Sequence, residues 1–197
     1  TSGSGKSSLV RCGLLSELYG GAFLDAGTDW EVAVMNPGGG PFNQLSKALV
    51  NADIYDAEED DIHLKLNATL RRSRLGLVEA IRQADLAEGT NFLLVVDQFE
   101  EIFRFRQGGS KASEEAADFI ELILEASWQE ELPIYVILTM RSDFLGDCAE
   151  FKNLAEAVNE GEYLIPRLNR RQRAHAIEGP AKVGGGQMSP RLVQQLL

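Results

Sequence analysis

The chain has 197 residues, of which 44% are hydrophobic, enough for one domain with a sizeable core and the start of a second. Its 30 acidic and 19 basic residues leave a formal charge of -11, which argues against a general nucleic-acid binder and against docking on anionic lipid. Two cysteines, Cys12 and Cys148, are too few for a disulfide scaffold and lack metal-site spacing.

Both cysteines are read as small buried hydrophobes. No apolar run reaches the length of a membrane span and no signal peptide is visible, so a cytoplasmic setting is expected. The first eight residues are Thr-Ser-Gly-Ser-Gly-Lys-Ser-Ser. Gly5, Lys6 and Ser7 supply the second half of the phosphate-loop pattern G-x-x-x-x-G-K-[ST]. The first glycine of that pattern would lie one position before Thr1, so the chain is expected to begin inside the loop.

The chemistry accounts for the residue types. Gly3 and Gly5 let the backbone of Ser2, Gly3, Ser4, Gly5, Lys6, Ser7 and Ser8 curl until several N–H groups face one phosphate. Lys6 places a charge on the β- and γ-phosphates, and the Ser7 hydroxyl is a candidate ligand of Mg²⁺. Leu9, Val10, Leu14, Leu15 and Leu18 follow at helical spacing, so a helix is expected directly after the loop. The bland alternative is a flexible Gly/Ser-rich start that happens to precede a lysine. A serine-hydrolase elbow fails, because Ser2 stands where that motif needs glycine.

The remaining elements alternate. Trp30–Met35 reads as a strand, ended by Asn36-Pro37-Gly38-Gly39-Gly40-Pro41, and 42–50 as a short helix. Residues 51–61 form an acidic loop, taken as solvated surface rather than a metal site. A single helix is expected over 64–87, then a strand over 92–96 whose unbroken apolar run marks burial on both faces of a parallel sheet. A loop at 107–113, a helix over 114–129 and a strand over 133–139 follow. Beyond them lie a helix over 147–159, a short strand over 162–165, a helix over 170–178, a glycine-rich linker and a last helix from Pro190. Strands alternating with helices predict a three-layer α/β fold.

Two motifs sit at the ends of the apolar strands. Asp97 directly follows the run ending at Val96, the Walker B position, where a carboxylate would hold Mg²⁺. Glu100 and Glu101 are candidates to orient or deprotonate the attacking water, or else simply acidic residues at a helix start. Arg141, after the next strand, is a candidate sensor of the γ-phosphate, against the bland reading of a surface pair with Asp143. Nothing in the chain matches the N-K-x-D that reads guanine, so ATP is favoured.

Taken together, these segments resemble the STAND class of P-loop NTPases, relatives of the NACHT and NB-ARC signalling ATPases. More closely, they resemble the bacterial branch often fused to WD repeats, kinase, TIR or protease-like effector domains. The matching segments are 2–11, 36–42, 93–103, 138–144 and 176–181, and Val96-Asp-Gln-Phe-Glu-Glu101 is the most specific among them. The resemblance implies an ASCE-type parallel sheet of order 5-1-4-3-2, lacking its first strand here. It implies an NTPase core over 1–167 and the beginning of a helical lid over 168–197. It places Pro180 against the adenine, although Gly179-Pro180 also reads as a plain helix stop.

The function implied is a switch that binds ATP or ADP with Mg²⁺, hydrolyses slowly and self-oligomerises to activate fused sensor and effector domains, as in bacterial defence or stress signalling. The alternatives are an AAA+-like motor or remodeller, with Arg104 or Arg106 as arginine fingers, and a nucleotide-holding scaffold without turnover. Neither nucleic acid nor membrane is an expected partner. His63 and His175 carry no pattern and read as surface residues.

Overall fold

Three apolar segments become strands: β1 (Trp30–Met35), β2 (Asn91–Val96) and β3 (Ile134–Leu138). They pair in parallel in the order β1-β2-β3, with Val34, Val95 and Ile137 in register across the sheet. The computed structural model describes residues 5–21, 27, 29–55 and 61–197. The candidate cradle residues Ser2, Gly3 and Ser4 lie outside the described residues, as does 56–60 of the acidic loop. The chain divides into two units, Gly5–Glu162 and Tyr163–Leu197.

In the first unit, every side chain of β2 is buried, as its unbroken apolar run predicts. Phe92, Leu94 and Val96 face the main core, while Leu93 and Val95 face a smaller cluster on the other side. Each such side chain contributes about 1.5–3 kcal/mol on burial, which makes β2 the axis of the unit. The smaller cluster is roofed by the helical segment that follows Gly5. That segment comprises α1 (Lys6–Ser8), a π-helical stretch Leu9–Leu14 and α2 (Leu15–Tyr19), and its Val10 and Leu18 are buried over Leu93 and Val95. Cys12 faces away from this stripe and is exposed, contrary to its reading as a buried hydrophobe, whereas Cys148 is buried as expected.

The main core is built by α3 (Pro41–Asn51), α4 (Ile62–Leu70), α5 (Gly76–Gln83) and α7 (Ser110–Trp128). Within it, Phe42 of α3 meets Phe119 of α7 edge to face, with ring centroids 6.0 Å apart. The single helix expected over 64–87 is two helices. The chain turns after Leu70, with Ser73 Oγ accepting from the Leu75 amide at 3.2 Å. Gly76 then packs so close to the carbonyl of Leu70 that any β-carbon there would collide with it. α7 begins four residues earlier than expected, at Ser110, directly after Gly109.

Between the last two strands lies the short helix α6 (Glu101–Phe105), and after β3 comes a 3-10 segment, Ser142–Glu150, followed by α8 (Leu154–Gly161). The helix expected over 147–159 is therefore only partly α-helical. No strand forms over 162–165: Tyr163 and Leu164 are strongly exposed, and no neighbouring strand pairs with them among the described residues.

The second unit holds α9 (Arg170–Val183) and α10 (Pro190–Leu196). Asn169 caps α9 in a reciprocal capping box with Gln172. Arg170 bonds to Gln194, and Arg173 donates to the Leu197 carbonyl at 3.1 Å, tying the two helices together. α9 runs through Pro180 instead of stopping there. Gly179 permits this, because the clash that disfavours helical backbone before a proline involves a β-carbon that glycine lacks. No described helix is long and apolar enough to cross a membrane.

Candidate functional site

Parallel pairing brings the ends of the three strands to one rim, because Met35, Val96 and Leu138 are register partners. The residues after each strand therefore meet there, the arrangement by which open α/β sheets build ligand sites. Asp97 leaves β2 still tied to β1, its amide donating to the Met35 carbonyl at 2.8 Å. Its side chain is buried and accepts two hydrogen bonds on Oδ1: from Ser7 Oγ at 2.7 Å and from Thr139 Oγ1 at 2.6 Å. Its Oδ2 lies 3.4 Å from the guanidinium of Arg11, one helical turn after Ser7.

Ser7 and Asp97, read from two separate motifs, thus meet directly. Gly5 precedes the helix in a left-handed conformation (φ 82°), and its carbonyl accepts from the Leu9 amide at 2.8 Å. Lys6 and Ser7 are half-buried, while Ser8 is exposed at the same helix start. A hydroxyl beside a carboxylate is the hard oxygen pair that Mg²⁺ takes when nucleotide and water complete its shell. Among the described residues no cluster of three or more His, Cys, Asp and Glu is poised for a metal. By their oxygen chemistry, Ser7 and Asp97 fit such a cation.

The turn after Asp97 is unusual. Gln98 has φ 57°, a left-handed conformation rare outside glycine, and is held from three sides. Its amide donates to Thr139 Oγ1 at 3.1 Å, its carbonyl accepts from the Glu101 amide at 2.9 Å, and its Oε1 accepts from Asn36 Nδ2 at 3.0 Å. Asn36 Oδ1 in turn accepts from the Gly38 amide at 3.0 Å, which ties the glycine-rich turn after β1 to the turn after β2.

The two glutamates separate here. Glu100 is buried, and its Oε2 has no hydrogen-bond partner among the described residues. Glu101 is half-buried, its carboxylate lying against Gly38 so closely that a β-carbon there would strike it. Arg141 pairs with Asp143, the contact foreseen as its bland reading, and this hydrogen bond holds the Asp143 carboxyl below its ordinary value. Its Nε is nevertheless buried without a hydrogen-bond partner among the described residues, and its guanidinium carbon lies 5.6 Å from the centre of the Phe144 ring.

Arg104 sits over Phe144, and Arg106 over Phe151 with an ion pair to Glu150, so both lie on the chain's own aromatic cluster as helix-surface residues would. Pro180 lies in the second unit, exposed within α9. Thr139, Gln98, Asn36 and Arg11 are members of the site that the motifs did not single out. Only the strand register reveals the first three, and helical spacing from Ser7 would have pointed to the fourth.

No curated protein and no solved structure matches the chain. The family model described as Novel STAND NTPase 1, nSTAND1, matches residues 1–197, its whole length. With a helix start carrying Gly-Lys-Ser set against the aspartate that ends the central parallel strand, the chain belongs to the nSTAND1 family of STAND NTPases.

Proposed function

We propose that the protein is an ATP-binding switch whose nucleotide is held with Mg²⁺ at the rim of the sheet. The observation that carries this reading is the 2.7 Å hydrogen bond from Ser7 to Asp97, which joins the two motif halves across 90 residues of sequence. Family membership supports nucleotide binding, and the lack of a guanine-reading motif favours ATP or ADP. The strand order β1-β2-β3 agrees with the 4-3-2 portion of a 5-1-4-3-2 sheet.

In this reading Gly5, Lys6 and Ser8, with Ser2, Gly3 and Ser4 before them, surround the phosphates. Lys6 neutralises the terminal two, and Ser7 and Asp97 hold the cation. When bound, Mg²⁺ neutralises developing charge on the phosphate oxygens. Glu100 is the residue assigned to orient and deprotonate water, because its buried carboxylate keeps one oxygen unengaged. Arg141 senses the terminal phosphate by exchanging Asp143 for it. The second unit, with Pro180, is assigned to the start of the lid region. The output is slow hydrolysis that resets a self-association controlling fused sensor and effector domains in a bacterial signalling protein.

The test is direct. Lys6→Ala is expected to weaken ATP binding, measured by calorimetry, by about 100-fold or more, the loss of a buried charge-assisted contact. Unchanged affinity overturns the phosphate-loop assignment. Fast steady turnover without any change in assembly state would instead identify a motor, and tight binding without turnover a scaffold.

A further inference from the structure

All three polar atoms of Thr139 are directed at the exit of β2. Its amide donates to the Val96 carbonyl at 2.9 Å and its carbonyl accepts from the Phe99 amide at 2.8 Å. These two bonds belong to the backbone, and any residue would make them. The side chain adds two more: Oγ1 donates to Asp97 Oδ1 at 2.6 Å and accepts from the Gln98 amide at 3.1 Å. Only a group that donates and accepts through one atom can do both, and among small side chains that means a hydroxyl.

We propose that Thr139 is a positioning residue for the cation site: its hydroxyl fixes the rotation of the Asp97 carboxylate and locks the left-handed turn at Gln98. The proposal rests on the reading of Asp97 as the carboxylate that faces Mg²⁺. Thr139 is only 6% exposed, so the O–H···O⁻ bond is shielded from competing water and strengthened by the charge it serves. With Ser7 and Thr139 both on Oδ1, the plane of the carboxylate is set, and Oδ2 is the oxygen left toward Arg11.

The bond to Gln98 ties the same hydroxyl to the chain that leads into Glu100. A non-glycine residue at φ 57° holds that backbone only where its surroundings over-determine it. Thr139 satisfies its amide, and Asn36 satisfies its side chain. Removing the hydroxyl takes away one of the two hydrogen bonds on Asp97 Oδ1 and leaves the Gln98 amide without its Thr139 partner.

The experiment compares Thr139→Val, which keeps shape and loses the hydroxyl, with Thr139→Ser, which keeps the hydroxyl. The readout is the Mg²⁺ concentration that half-saturates binding of a fluorescent ATP analogue. Binding in EDTA and thermal unfolding are recorded alongside. Thr139→Val is expected to raise the Mg²⁺ requirement by about 10–100-fold, the usual effect of losing a partner of a metal ligand, while binding in EDTA stays unchanged. Thr139→Ser is expected to restore the requirement to within about threefold of the parent.

A folded Thr139→Val with the parent's Mg²⁺ requirement overturns the proposal, as does a Thr139→Ser as impaired as Thr139→Val. If Thr139→Val does not fold, Thr139→Ala is judged by the same measure at a temperature where it is native. A parent protein that binds nucleotide with no response to Mg²⁺ overturns the reading of Asp97 itself. An intact response that Thr139→Val leaves in place overturns the role of Thr139 alone.

Discussion

The guanidinium of Arg11 lies 3.4 Å from Oδ2 of Asp97, on the side of the carboxylate that Ser7 and Thr139 leave open. A cation bound to Asp97 has to share or replace that contact. Arg11 is 56% exposed at its side chain, so solvent screens the pair and the contact is worth only about 0.5 kcal/mol. Arg11→Ala is therefore expected to lower the Mg²⁺ concentration needed for nucleotide binding, by roughly two- to threefold. A titration of Mg²⁺ at fixed nucleotide checks it, and a raised requirement would show that Arg11 assists binding.

The two glutamates predict opposite variants. Glu100→Gln is expected to cut ATP hydrolysis by about 100-fold or more while leaving ATP binding intact, the loss typical of removing a general base. Glu101→Gln, whose carboxylate rests against Gly38, should leave turnover within several-fold of the parent. Phosphate release and equilibrium binding, measured on both variants, decide between them. The reverse pattern would move the assignment to Glu101.

The cysteines offer a check on packing. A thiol reagent at pH 8 is expected to label one cysteine per native chain, the exposed Cys12, and the second only after denaturation. Burial pushes the Cys148 thiol up to about 11, from an ordinary value of 9. A raised value means the folded state keeps its proton while the unfolded thiol loses it. Stability from this source is complete below pH 9 and is lost as pH climbs from 9 toward 11. Urea unfolding at pH 8 and pH 10.5 should differ by about 2 kcal/mol from Cys148, and Cys148→Ala should remove that difference. Tyr55, pushed up to about 12 by burial, adds a change of the same sign at still higher pH.

Much of the architecture was legible in the residues because parallel strands buried on both faces carry unbroken apolar runs. The bounds expected for β1 are the ones observed, those of β2 differ by one residue at its start, and those of β3 by one residue at each end. The break between α4 and α5 was hidden because Leu70 and Leu77 keep a seven-residue spacing that suits one continuous helix. What ends the helix is the close packing of Gly76 on the preceding turn, a three-dimensional fact. The strand expected over 162–165 failed because a short apolar run does not make a strand without a neighbour to pair with.

The candidate site divides in the same way. Gly5, Lys6, Ser7 and Asp97 stand out because phosphate and cation chemistry restricts which residues serve. Thr139 did not stand out as a partner of Asp97, since a threonine at the end of a strand is commonplace. Its importance comes from the register that sets Leu138 beside Val96, so that the next residue of β3's exit reaches the next residue of β2's. Glu100 and Glu101 were indistinguishable as letters, and only burial tells them apart.

The parallel sheet also sorts the molecule into a working end and a quiet one. Met35, Val96 and Leu138 finish side by side, and Asn36, Asp97 and Thr139 follow them. At the other end, Trp30 stands level with Asn91, and Phe92 with Ile134, and none of these takes part in the candidate site. Loops at the working end can diverge in sequence and retune chemistry without disturbing the apolar interior. The opposite end is the place to attach a probe or a tether, since changes there leave the reacting groups untouched.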